Sequence, residues 1–122
     1  GDGTDATIIA TGVTVSEALK AQKELENENI KVRVIDIHTI KPLDEELIVK
    51  AAKETKKLIT VEDHSVIGGL GSAVADLLAI KYPKKLTKLG INDEFGKSGK
   101  WNELMDYYKI TAKYIVDEVK KV

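Results

Sequence analysis

The chain has 122 residues and a formal net charge of −1, which leaves room for one hydrophobic core and excludes the broad basic field that nucleic acid requires. Hydrophobic residues make up 43% and charged residues 32%, a globular balance and not a disordered one. Cysteine is absent, so disulfides, thiolate metal sites and cysteine nucleophiles are excluded. No apolar run approaches the roughly 20 residues of a bilayer span. The polar opening Gly1-Asp2-Gly3-Thr4-Asp5 holds no signal-peptide core. The expectation is one cytoplasmic domain over residues 1–122, with no nucleic acid and no membrane among its partners. The start without Met suggests a segment of a longer chain.

Ala6 to Ala10 reads as a first buried strand, ended by Thr11-Gly12. Thr14-Val15-Ser16-Glu17 fits a capping box, with the Thr14 hydroxyl accepting from the Glu17 amide and Glu17 reaching back. The helix it opens runs to about Glu28 and places Val15, Ala18, Leu19, Gln22 and Leu25 on one face. Asn29 suits a left-handed stop. Val32 to Ile37 is a second strand, expected to pair parallel with the first across a helix-length connection. After the loop His38-Thr39-Ile40-Lys41-Pro42, Asp44 is the expected N-cap of a second helix, with Leu43 and Ile48 as its staple. Leu47, Ile48, Ala51 and Ala52 form its predicted buried stripe.

Leu58 to Val61 is a short apolar run, followed by Glu62, Asp63 and His64 and then by Gly68, Gly69 and Gly71. A helical pattern begins with Leu70, Val74, Leu77 and Leu78 and ends near Tyr82-Pro83. Leu86 to Ile91 reads as a fourth strand, Asn92 to Lys100 as a loop and Trp101 to Tyr108 as a short helix. Thr111 is placed to cap a last helix through Val119, with Ile115, Val116 and Val119 inward. This alternation predicts a three-layer α/β/α sandwich on a mostly parallel sheet. In the flavodoxin-like order the first strand lies between the second and third. The resulting switch-point crevice would be lined by Thr11-Gly12, by Glu62-Asp63-His64 and by the glycine turn. The third helix would aim free N–H groups there.

The corner admits several chemistries. Its glycines could cradle a phosphate, but Gly69-Leu70-Gly71-Ser72-Ala73-Val74 has Val where the dinucleotide fingerprint needs Gly or Ala, and it follows the third strand. They could equally serve close backbone packing. Glu62, Asp63 and His64 cannot all converge from an extended chain, although Glu62 and His64 could share a face. They could act as acid–base groups or metal ligands, or form a hydrogen-bonded strand end that meets a neighbouring subunit. His38 and Lys41 could bind an anion, or simply lead into the capped helix. Ser72 lacks the Gly-x-Ser-x-Gly context of a hydrolase elbow. Trp101, Tyr107 and Tyr108 have no basic stripe beside them and read as core or interface anchors.

Three stretches, in order, resemble the C-terminal domain of transketolase and its thiamine diphosphate-dependent relatives. They are Asp5 to Gly12, Val34-Ile35-Asp36 running into Thr39 to Asp44, and Val61-Glu62-Asp63-His64 followed by Ile67 to Val74. Phe95-Gly96-Lys97-Ser98-Gly99, Leu104 and Tyr107 to Thr111 resemble transketolase best, as the C-terminal end of a split, two-subunit enzyme. Deoxyxylulose phosphate synthase shares Lys41-Pro42-Leu43-Asp44 and Gly68-Gly69. The β subunit of pyruvate dehydrogenase-type enzymes shares the opening but matches the glycine turn less well.

The resemblance implies a parent enzyme that moves two-carbon ketol units between sugar phosphates, using thiamine diphosphate and a divalent metal, Mg or Ca. It implies that the cofactor lies between the two preceding domains of paired subunits, so this chain supplies no catalytic, cofactor or metal residue. The implied partners are the N-terminal transketolase domains or subunit, within a homodimeric parent. Glu62, Asp63, His64, Gly68, Gly69, Gly71 and Ser72 remain as a candidate crevice or interface. A regulatory phosphate- or nucleotide-binding module at the same corner is the alternative. The family's antiparallel edge strand has no counterpart after Gly1, which leaves the second strand as an open edge.

Overall fold

The computed structural model describes residues 5–11, 14–37, 44–65, 69–91 and 112–121, the side chains at 63–65, 90 and 91 excepted. Strands and helices alternate: β1 (Ala6–Ala10), α1 (Thr14–Glu26), β2 (Val32–Asp36), α2 (Glu45–Glu54), β3 (Lys57–Ser65), α3 (Leu70–Lys81), β4 (Leu86–Ile91) and α4 (Ala112–Lys120). The sheet order is β2-β1-β3-β4, and every pairing is parallel. Ala6 faces Val32 on one side and Lys57 on the other, so β1 is central and the winding reverses between β1 and β3. The expected topology is therefore present, with β2 and β4 at the edges of the described sheet. Among the described residues no helix is long and apolar enough to cross a membrane.

Strand alternation divides the core in two. Ala6, Ile8 and Ala10 of β1 and Ile59 and Val61 of β3 pack against Ala18, Ala21 and Leu25 of α1 and Ile115, Val116 and Val119 of α4. Ile9, Ile35 and Leu58 face the other way, onto Ile48, Ala51 and Ala52 of α2 and Leu70, Val74, Leu77 and Leu78 of α3. Each fully buried Ile or Leu in these layers contributes about 2 kcal/mol of transfer free energy. Thr7, on the α2 face of β1, is buried, and its hydroxyl meets the Thr55 hydroxyl at 3.0 Å. Thr55 in turn donates to the Ala51 carbonyl at 2.7 Å, so the polar pair is satisfied where α2 ends.

Several expectations hold and several shift. Asn29 has φ 63°, the left-handed stop expected after α1, although the helix itself ends at Glu26. The Asp44 carboxylate accepts from the Leu47 amide at 3.2 Å as the N-cap of α2. On α1 the buried residues are Thr14, Ala18, Ala21 and Leu25, while Leu19 is 50% exposed. The stripe is turned towards small alanines, which let the helix axis approach the sheet. Leu47 is also exposed, at the rim of a recess that it shares with Arg33 to Asp36 of the edge strand β2. The capping box at Thr14 does not form, for the reason given below. The loop at 38–43 with its staple residue Leu43, the loop after β4, the helix predicted at 101–108 and the cap at Thr111 lie outside the described residues.

Candidate functional site

The glycine corner begins at the carboxyl end of β3. An apolar run ending at Val61 suggests a strand that stops before the polar trio. Instead β3 continues through Glu62, Asp63 and His64 to Ser65. Its register against β4 shifts between Glu62 and Ser65, so the strand is irregular just where the charged residues enter. Alternation from Leu58 places Thr60 and Glu62 on the α3 face, and both are buried.

Glu62 closes the helix that follows. Gly69 is the N-cap of α3 and has no side chain with which to cap it. An N-cap side chain would accept from the second or third helical amide. Here the Glu62 Oε2 takes that place, accepting from the Gly71 amide at 2.9 Å. The carboxylate is 2% exposed, and its charge is offset by this N–H and by the positive end of the α3 dipole. The amide expected to be free for a phosphate is therefore occupied by the protein's own anion.

Gly71 has a second, steric reason to be glycine. A Cβ built there would lie 2.6 Å from Lys88 Cδ, 2.9 Å from Lys88 Cγ and 3.1 Å from Thr60 Oγ1. The aliphatic stem of Lys88 reaches from β4 to the first turn of α3 and fills the space that a side chain at Gly71 would need. Of the predicted corner residues, the structure thus joins Glu62 to Gly69 and Gly71, with Ser72 half-buried in the same turn. Asp63 and His64 are placed as strand backbone, and Gly68 lies outside the described residues. Thr60 and Lys88 were missed by sequence reasoning. The alternation that buries Leu58 could have found Thr60; nothing in the sequence marks Lys88.

On the β1 side of the switch point the Thr14 hydroxyl ties β1 to β3. The Thr14 hydroxyl shares its one proton between the Thr11 carbonyl and the Val61 carbonyl, the latter at 2.9 Å, and accepts from the Thr11 amide at 3.2 Å. The Thr11 amide also reaches the Val61 carbonyl at 3.3 Å. Thr14 is therefore committed to β3 and not to the Glu17 amide. Glu17 instead accepts from the Ala112 amide at 3.0 Å and so caps α4. Among the described residues, no three His, Asp or Glu side chains converge to hold a metal ion. A diphosphate at the α3 end would meet the Glu62 carboxylate, so the described corner does not fit thiamine diphosphate with its metal.

Among the described residues, this is a doubly wound parallel α/β domain in which the first turn of α3 and the end of β1 are met at the switch point by the chain's own Glu62 carboxylate and Thr14 hydroxyl. The sequence matches the family described as "Transketolase, C-terminal domain" over residues 1–115, and the chain belongs to that family. It is 50% identical to a Methanocaldococcus jannaschii protein named as a transketolase C-terminal section, an alignment covering 98% of this chain and 39% of the relative. It is 44% identical to the 6-deoxy-6-sulfo-D-fructose transketolase subunit SqwH of Clostridium sp. (strain MSTE9), covering 94% of this chain and 36% of that subunit. A solved structure described as a split gene transketolase, inactive β4 tetramer, superposes with a TM-score of 0.87 at 46% identity, covering 97% of this chain and 38% of that one. The chain thus spans less than two fifths of the length of these relatives.

Proposed function

We propose that the 122 residues form a single domain that supports the assembly of a transketolase-type enzyme without carrying its chemistry. The parent reaction is two-carbon ketol transfer between sugar phosphates, and the bound thiamine diphosphate and divalent metal supply the carbanion chemistry from other domains. Deoxyxylulose phosphate synthase is the alternative parent. The observation that carries this reading is the Glu62 carboxylate seated on the Gly71 amide, which leaves that part of the corner satisfied from within. The solved relative described as an inactive tetramer of β subunits agrees with a chain that needs a partner section.

The corner formed by Glu62, Asp63, His64, Gly68, Gly69, Gly71 and Ser72 then serves as an interface, meeting the preceding transketolase domains or a sister chain in a dimeric parent. Two measurements test this. The purified chain, given thiamine diphosphate, Mg²⁺ and a ketose phosphate donor with an aldose phosphate acceptor, is expected to show no ketol transfer; turnover above the enzyme-free blank would refute the supporting role. Hydrogen exchange at residues 62–72 is expected to slow when the parent's other domains are added. Unchanged exchange there, in a complex that is active, would remove the interface assignment.

A further inference from the structure

Three Lys-Lys pairs, Lys56-Lys57, Lys84-Lys85 and Lys120-Lys121, lie far apart in the sequence. The fold brings all three to the amino end of the sheet, at the start of β3, the start of β4 and the end of α4. Between these segments is a recess of about 310 Å³. Lys56, Lys57, Lys85 and Lys121 line it together with Thr87 and a single carboxylate, Glu118.

The helix end accounts for part of this charge, since cations suit exposed terminal carbonyls. The Lys57 ammonium donates to the Glu118 carbonyl at 3.0 Å and to the Lys121 carbonyl, which settles the end of α4. The Lys121 ammonium is 2.9 Å from the Glu118 carboxylate, and the Lys56 ammonium is 4.0 Å from Asp5. Lys85 is different. It precedes β4, ends no helix and has no partner among the described residues. Among the described residues, four positive charges therefore meet two negative ones, Glu118 in the recess and Asp5 beside it.

We propose that this recess binds a phosphate-bearing anion with at least two negative charges, a phosphate monoester or a diphosphate. Lysine ammonium groups act as point charges, and several around one hollow select for charge density over planar shape. A monocarboxylate would leave the surplus unanswered. A phosphoryl group offers several oxygens to the ammonium groups and to the Thr87 hydroxyl. The recess lies at the opposite end of the sheet from the glycine corner, so the proposal stands or falls independently of the supporting role.

The test is an amide-resolved NMR titration of the 122-residue chain at low ionic strength, with pyrophosphate and glucose 6-phosphate as separate probes. Saturable shifts confined to residues 56–58, 85–87 and 118–121 are expected, with half-saturation on the order of 1 mM or below, and weakening as salt is raised. Saturation by pyrophosphate alone assigns a diphosphate; equal saturation by both assigns a phosphoryl group. Lys85→Gln, which disturbs no internal contact, is expected to weaken binding about tenfold. Lys113→Gln, on the exposed face of α4, is expected to leave it unchanged. Absence of saturable shifts, or equal weakening by both variants, would overturn the proposal.

Discussion

The two ends of the sheet handle the same electrostatic problem with opposite charges. At the carboxyl end, three helix N-termini are each met by a carboxylate: Asp44 on α2, Glu62 on α3 and Glu17 on α4. At the amino end, the terminal carbonyls of α2 are met by Lys84, which donates to Ala52 at 2.9 Å and to Thr55, and those of α4 by Lys57. The macrodipole explains both choices. The difference lies in reach and burial. Glu62 is a shorter side chain, buried and fixed by the strand that carries it, whereas the lysines are long and partly solvated. One end is therefore built to close tolerances, and the other absorbs change.

Substitutions at the tight end should cost most. Glu62→Ala is expected to lower unfolding free energy by about 3 kcal/mol, since it strands a buried amide and removes a charge-assisted bond. Glu62→Gln, which retains an acceptor, should lose about half as much. Urea unfolding at neutral pH measures both; a loss below about 1 kcal/mol for the alanine variant would show that water can serve the α3 end and would erase the contrast. Gly71→Val comes next, at about 2 kcal/mol, from overpacking against the Lys88 stem and Thr60. Adding Lys88→Ala should recover part of that loss, and a cycle without coupling would place the strain elsewhere.

The solvated end should respond more mildly. Lys84→Met is expected to cost about 1 kcal/mol, read from the same unfolding curves, because the methylene stem stays while the ammonium leaves. Parity with Glu62→Ala would break the comparison from the other side. The smallest effect concerns Lys120, whose ammonium is 2.7 Å from Glu28. The hydrogen bond that it donates to Glu28 holds its pKa above the ordinary lysine value, and the charges of Glu28, Glu24 and Asp117 add to this. A raised folded-state pKa means that the pair's contribution is complete below the ordinary lysine pKa and is lost as pH climbs through the raised value. Stability curves of the wild type and of Lys120→Met should therefore run parallel at neutral pH and converge only in strong alkali; convergence near neutrality would contradict this.

The fold was legible where one residue type or one local pattern decides the outcome. The apolar run Ala6–Ala10 and the segment Leu86–Ile91 are strands with the expected bounds, and the Leu70, Val74, Leu77 and Leu78 stripe is buried. Local rules failed where a distant group made a better offer. Thr14 and Glu17 have capping-box spacing, yet the Thr14 hydroxyl is drawn to a carbonyl 47 residues away and Glu17 to an amide 95 residues away. The corner was legible in its residue types but not in its closure. Nothing in the spacing of Glu62 and Gly71 says that the carboxylate would turn inward onto the helix. Leu19 and Leu47 show the remaining limit: a helical pattern names the apolar residues, but how the helix is turned against its neighbours decides which of them are covered.

The stem of Lys88 lying over Gly71 has an evolutionary consequence. The two positions share one small volume although they sit on different elements, so Gly71 cannot enlarge unless the Lys88 stem shortens or moves. Family members with a larger residue at the first turn of this helix should carry a shorter one at the facing position of the edge strand. An alignment of transketolase C-terminal domains should record that exchange as correlated substitution.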